Sequence, residues 1–201
     1  MRVGPPGEPD GNWPKQLDQE QHMPGAVPHT ALTHITVGLG WDPVRAGKFR
    51  RHPKDIDLNV AALSFSGTRF ADIAFHEQLT SRDGAIRHLG DSLDGVGDGD
   101  DEIMVLDLTR LAPDITTVVL LITCYTGQRF EQIENAFTRV TDSVTGTGLA
   151  RIDLATARSH TGLVLGTLHR TDNDWQFTLI AEPIPAEHVV DAVPHLTTYL
   201  S

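Results

Sequence analysis

The residues best equipped to do chemistry in this chain are carboxylates, and they fall in two groups. Residues 90–102 read GDSLDGVGDGDDE. Six of the twelve positions from Asp91 to Glu102 are acidic, with Gly95, Gly97 and Gly99 set among them. Upstream, residues 55–59 read DIDLN, which spaces Asp55, Asp57 and Asn59 two apart. At a surface, two carboxylates about 4 Å apart repel by roughly 4 kcal/mol at an effective dielectric near 20. Like charges this dense on glycine-rich backbone are either screened by water and salt or neutralised by a cation.

The donor types say which cation. Calcium takes six to eight oxygens in flexible geometry, at about 2.3–2.6 Å, from carboxylates, carbonyls and water. A loop alternating Gly and Asp offers carboxylates, and also carbonyls turned inward where glycine permits unusual dihedrals. In a strand, Asp55, Asp57 and Asn59 share one face, with neighbouring Cα atoms about 6.6 Å apart, while Ile56, Leu58 and Val60 face a core. Oxygen-only ligands argue against zinc and copper, and magnesium keeps its waters. The spacing is not that of an EF-hand, because no register of Asp91–Glu102 supplies D-x-[DN]-x-[DN]-G with a Glu at the twelfth place. On the residues alone a calcium site and a solvated acidic loop both stand.

The elements that must position these groups read as strands. Ile35, Val37 and Leu39 alternate in THITVGL, and Ile56, Leu58 and Val60 in DIDLNV. ADIAFHEQL sets Ile73, Phe75 and Leu79 on one face, and Asp83-Gly84 is a hairpin signal. IMVLDL and VVLLITC are near-continuous apolar runs, suited to strands covered on both faces. LARIDL, TGLVLGTLH and DWQFTLI complete the set, with Asn173-Asp174 as a turn. Short strands at this spacing predict an all-β fold, an antiparallel β-sandwich. Phe130, Ile133, Glu134 and Phe137 have helical spacing, and Glu187–Val193 could form a second short helix before Pro194.

Composition bounds the rest. The first thirty of 201 residues hold six of the twelve prolines and no apolar periodicity, so residues 1–30 read as a disordered tail. Residues 31–185 then form one domain, and residues 186–201 a C-terminal tail or short helix. The net charge of −11 makes nucleic acid a poor partner, since phosphate tracking needs clustered Lys and Arg. The only basic cluster is Lys48, Arg50, Arg51 and Lys54. One cysteine, Cys124, excludes a disulfide framework and a thiolate zinc site, and it lies in an apolar run as a packed core residue. No signal-peptide region and no apolar stretch near the roughly 20 residues that span a bilayer are present, so a cytoplasmic protein is expected. Catalytic motifs are absent: there is no G-x-S-x-G elbow, Gly47-Lys48 is followed by Phe49, and GVGDGD lacks the third Gly of G-x-G-x-x-G. The ten histidines are scattered, His76-Glu77 and His169 beside Arg170 read as solvent-facing polar residues rather than a catalytic dyad, and no enzymatic activity is expected.

In order, THITVGLGWD, DIDLN, SRDGAIRHLGD, GDGDDE, LARIDL and TGLVLGTLHR followed by WQF resemble the TerD family of tellurite- and stress-resistance proteins, over roughly residues 31–181. The resemblance implies a β-sandwich that binds calcium, one or two ions, and works with other stress-response proteins in a membrane-associated complex on the cytoplasmic side. It places ligands on Asp55, Asp57, Asp91, Asp98, Asp100, Asp101 and Glu102, with Asn59 at a position that is often a third acid, and Asp42 as a weaker candidate. Ser92 and Val96 also depart from the family's pattern, and each lost charge weakens calcium binding. Two functions follow: a calcium-binding stress-response domain whose ions order an acidic rim for a partner, or a metal-independent interaction module with the same fold.

Overall fold

A computed structural model describes residues 31–43, 55–90, 99–172 and 174–200. The expectations placed on residues 1–30, on Lys48–Lys54, on Asp91 and Asp98 with the loop between them, and on Asn173 lie outside the described residues.

Among the described residues, ten strands form two five-stranded sheets. The first runs in the order β4 (Ile86–His88), β5 (Glu102–Asp107), β1 (His34–Gly40), β7 (Phe137–Asp142), β8 (Gly148–Asp153). The second runs β10 (Trp175–Ile184), β9 (Gly162–Arg170), β6 (Thr117–Cys124), β2 (Leu58–Ser66), β3 (Arg69–Ala74). Every pairing is antiparallel. This is the all-β sandwich that the alternating segments require, because each period-two strand has one apolar face to bury.

Ile35, Val37 and Leu39 of β1 meet Leu58, Val60 and Ala62 of β2 and Val118, Leu120 and Ile122 of β6 in the core between the sheets. A second apolar layer lies on the outer side of β2, β6 and β9. There Ala61, Leu63, Phe65, Val119, Leu121 and Val164 pack under the chain that follows β10, through Ala186, Val189, Ala192, Leu196 and Leu200. That chain forms α1 (Val189–Ala192), a 3-10 turn at Val193–His195 that contains Pro194, and another at Thr197–Tyr199. β6 is therefore buried at all eight positions, as its continuous apolar run predicts. β5 is not: its residues alternate between buried and half-buried, because among the described residues no second layer covers its sheet from outside.

Other local differences have equally local causes. β3 ends at Ala74, and Phe75 and Gln78 exchange backbone hydrogen bonds of 3.0 Å across a tight turn, so Leu79 is exposed rather than part of the same strand face. The helical spacing around Phe130 yields only a 3-10 turn, Phe130–Gln132, which buries Phe130 before β7 begins at Phe137. Cys124 is a packed core residue, and burial pushes its thiol above its usual pKa, which disfavours the reactive thiolate.

The β7–β8 turn carries a pH dependence. Burial alone raises the Asp142 pKa, but the Thr145 hydroxyl at 2.7 Å and the Val144 N–H at 2.9 Å favour the charged form, and the net result lies below the ordinary 3.8. A carboxyl depressed in the folded state stabilises above its unfolded pKa, and that contribution is lost as pH falls through the folded value. Asp142→Ala is expected to cost about 1–2 kcal/mol at neutral pH. The gap from wild type should close below about pH 4, as urea midpoints across pH 2.5–7 will show; a gap independent of pH would refute the assignment.

Candidate metal-binding rim

The two acidic segments meet at one rim of the sandwich. Val60 lies beyond the point where the β2–β3 ladder stops at Ala62–Ala74, so its N–H has no strand on that side. Glu102, the first residue of β5, fills the place: its Oε2 accepts from the Val60 N–H at 3.0 Å and faces His88 Nε2 at 3.3 Å. The Glu102 and His88 side chains are 0% exposed. This contact ties the start of β2 in one sheet to β4 and β5 in the other.

Asp57 and Asn59 stand one step upstream. Asp57 immediately precedes β2. It is held by its N–H to Thr126 Oγ1 at 3.0 Å and by its carbonyl, which accepts from the Tyr125 N–H at 2.9 Å. The Asn59 amide donates to Asp57 Oδ1 at 2.7 Å, which confirms that the two share a face. Asn59 is only 2% exposed, and its Oδ1 has no hydrogen-bond partner among the described residues. Asp55 lies farther out, exposed, with its carbonyl accepting from Gln128 Nε2 at 3.2 Å.

The GDGDDE segment splits its acids. The Asp101 N–H donates to the Leu39 carbonyl at 2.8 Å, and its Oδ2 accepts from the Trp41 N–H at 2.9 Å. Asp100 turns to the outer side of the first sheet, where its Oδ2 accepts two bonds from Arg139, at 3.0 Å from Nε and 2.6 Å from Nη2. Arg139 sits opposite Gly38 in the β1–β7 register. A Cβ at Gly38 would overlap the Asp100 carboxylate, and one at Gly40 would overlap the Gly99 carbonyl and the Phe137 ring. The glycines of GLGWD thus make room for the incoming acidic segment. Asp42, the last residue of that motif, accepts from Asn135 Nδ2 at 2.8 Å and donates its N–H to the Glu134 carbonyl at 2.9 Å, which anchors the chain leaving β1.

The structure therefore brings Asp57, Asn59, Asp101 and Glu102 to one rim, sets Asp100 against Arg139 and leaves Asp55 at the margin. Asp91 and Asp98 lie outside the described residues. Among the described residues, the acids alone do not place three carboxylates within 4.8 Å of one another. Arg139, His88 and Gly38 were not foreseen from spacing. They belong to other strands, and only the sandwich brings them to the acids.

Two antiparallel sheets closed at one rim by a buried carboxylate, with oxygen donors gathered beside it, define a β-sandwich domain with an acidic rim. The TerD domain family matches residues 16–187, and the chain belongs to that family. It is similar to the tellurium resistance protein TerZ of Serratia marcescens, 38% identical over 157 residues that cover 75% of this chain and 80% of TerZ. It is also similar to general stress protein 16U of Bacillus subtilis, 34% identical over 157 residues, covering 74% and 80% of the two chains. A crystal structure of a TerD homologue from Streptomyces coelicolor A3(2) shares the fold, with a TM-score of 0.70 at 20% identity over 80% of this chain and 95% of that one.

Proposed function

We propose that this chain is a non-enzymatic, calcium-binding member of the tellurium-resistance and general stress-response family, in which Ca2+ orders the acidic rim as a surface for a protein partner. The observation that carries the reading is the buried Asn59 Oδ1 beside Asp57, an oxygen without a hydrogen-bond partner among the described residues. A buried, unsatisfied oxygen is costly unless a donor or cation completes it, and an all-oxygen neighbourhood suits a hard cation. Asp57, Asn59, Asp101 and Glu102 would hold the ion, with Asp91 and Asp98 supplying further carboxylates. The partner belongs to the stress response, and residence in the cytoplasm is part of the same proposal. No described helix is long and apolar enough to cross a membrane.

Calcium at a hundred times its dissociation constant adds roughly 2.7 kcal/mol of stability. For a chain of this size that corresponds to a rise in melting temperature of about 5–10 °C. The rise should reverse with chelator and vanish in Asp57→Ala. Titration calorimetry showing no heat, together with an unmoved melting curve at millimolar calcium, would defeat the proposal.

One observation favours the second reading, a metal-independent interaction module. Asp100 already pairs with the Arg139 guanidinium, and Glu102 already accepts from the Val60 N–H and faces His88. Identical melting curves in calcium and in chelator would support that module instead.

A further inference from the structure

Imidazole and carboxylate collect at a second place, between the turn that ends β3 and the chain that covers the outer face of its sheet. His76 and Glu77 occupy the Phe75–Gln78 turn. His188 is the N-cap of α1. One ligand atom from each of His76, Glu77 and His188 lies within 4.8 Å of the other two. The His76 and His188 ring centroids are 5.7 Å apart, and Tyr125 lies 5.6 Å from the first and 5.9 Å from the second. Phe75 closes the far side, 5.2 Å from His76 and 5.8 Å from His188.

Packing alone leaves part of this arrangement unexplained. The His76 side chain is 15% exposed, its Nδ1 is buried without a hydrogen-bond partner among the described residues, and its Nε2 stands 3.9 Å from Glu77 Oε1. Two imidazoles and a carboxylate are a ligand set that zinc takes with a fourth position left to water, at bonds of about 2.0–2.2 Å. Such bonds set neighbouring donors about 3.3 Å apart in a tetrahedron, so the cluster must draw in from separations of up to 4.8 Å. The Glu77 carboxylate is 62% exposed and can swing inward. His188 Nδ1 at present accepts a long 3.3 Å bond from the Val190 N–H. An ion at Nδ1 would replace that weak cap, and an ion at Nε2 would shift the proton to Nδ1. Either way little is lost.

We propose that His76, Glu77 and His188 form a binding site for one divalent transition-metal ion of the zinc class, which fastens the C-terminal segment onto the sheet. Nitrogen donors distinguish it from the oxygen rim, since calcium and magnesium are bound through oxygen. The proposal is independent of calcium binding there.

The test uses the full chain, cleared of metal with chelator and titrated with Zn2+ by calorimetry, with cobalt absorption as a second readout of coordination. One equivalent is expected. His188→Ala and His76→Ala should each weaken binding at least tenfold, and Glu77→Gln several-fold. Glu77 is exposed enough that its substitution leaves the fold intact, so its result stands even if a histidine variant unfolds. Saturating calcium should leave the zinc isotherm unchanged, and zinc should slow hydrogen exchange across residues 186–200. The site is refuted by a folded wild type that takes up no stoichiometric zinc, by an affinity unmoved in both His188→Ala and Glu77→Gln, or by competition from calcium.

Discussion

Glu102→Ala is expected to lower the stability of the chain by about 3–5 kcal/mol, the cost of removing one partner from a buried charged contact. The carboxylate is fully enclosed and performs two tasks at once. It accepts from the Val60 N–H at 3.0 Å, where β2 has outrun β3, and it faces the buried His88 at 3.3 Å. Alanine removes the acceptor that the buried Val60 N–H is folded around, and an abandoned buried donor costs more than a made bond contributes. Glu102→Gln separates the tasks. The amide oxygen still accepts from Val60, whereas the charge facing His88 is gone, so a smaller loss is expected. Denaturant midpoints measured in chelator keep calcium out of the comparison. A loss below about 1 kcal/mol for Glu102→Ala would mean that the rim is not held by this residue.

That residue also marks where the sequence stops being legible. Strands with one buried face announce themselves by alternation, and Ile35, Val37 and Leu39 are buried in β1 as their period demands. The doubly covered β6 is equally plain from its unbroken apolar run. Spacing also set Asp57 and Asn59 on one face, as their 2.7 Å contact shows. Spacing cannot say what stands across the sandwich. Asp100 and Glu102 are two apart and chemically alike, yet one reaches Arg139 of β7 over Gly38 and the other reaches β2 and β4. The choice is made by Arg139, 39 residues downstream of Asp100, and by Val60 and His88, 42 and 14 residues upstream of Glu102, and no local pattern carries it. The covering of the second sheet was hidden for a related reason. The final residues form only one turn of α-helix and two 3-10 turns, too short for a clear helical period, although their apolar side chains are what makes β6 buried on both sides.

The C-terminal segment should accordingly behave as core. Leu196 is 1% exposed, in contact with the layer that includes Leu63, Val119, Leu121 and Val164. Leu196→Ala is expected to cost about 2–5 kcal/mol, the lost transfer energy plus that of the cavity left behind. Ending the chain after Pro185 removes Ala186, Val189, Ala192, Leu196 and Leu200 together and uncovers Phe65, Leu63 and Leu121 on the sheet. An exposed apolar patch of that kind favours association, so the shortened protein should aggregate or bind a hydrophobic dye. Val190 provides the internal control: it lies in α1 of the same C-terminal segment but is 66% exposed, and Val190→Ala should change stability by less than about 0.5 kcal/mol. Equal, small effects of Leu196→Ala and Val190→Ala in urea titrations would show that the segment rests on the sheet without stabilising it. A large effect confined to Leu196 makes it the cover of the second core.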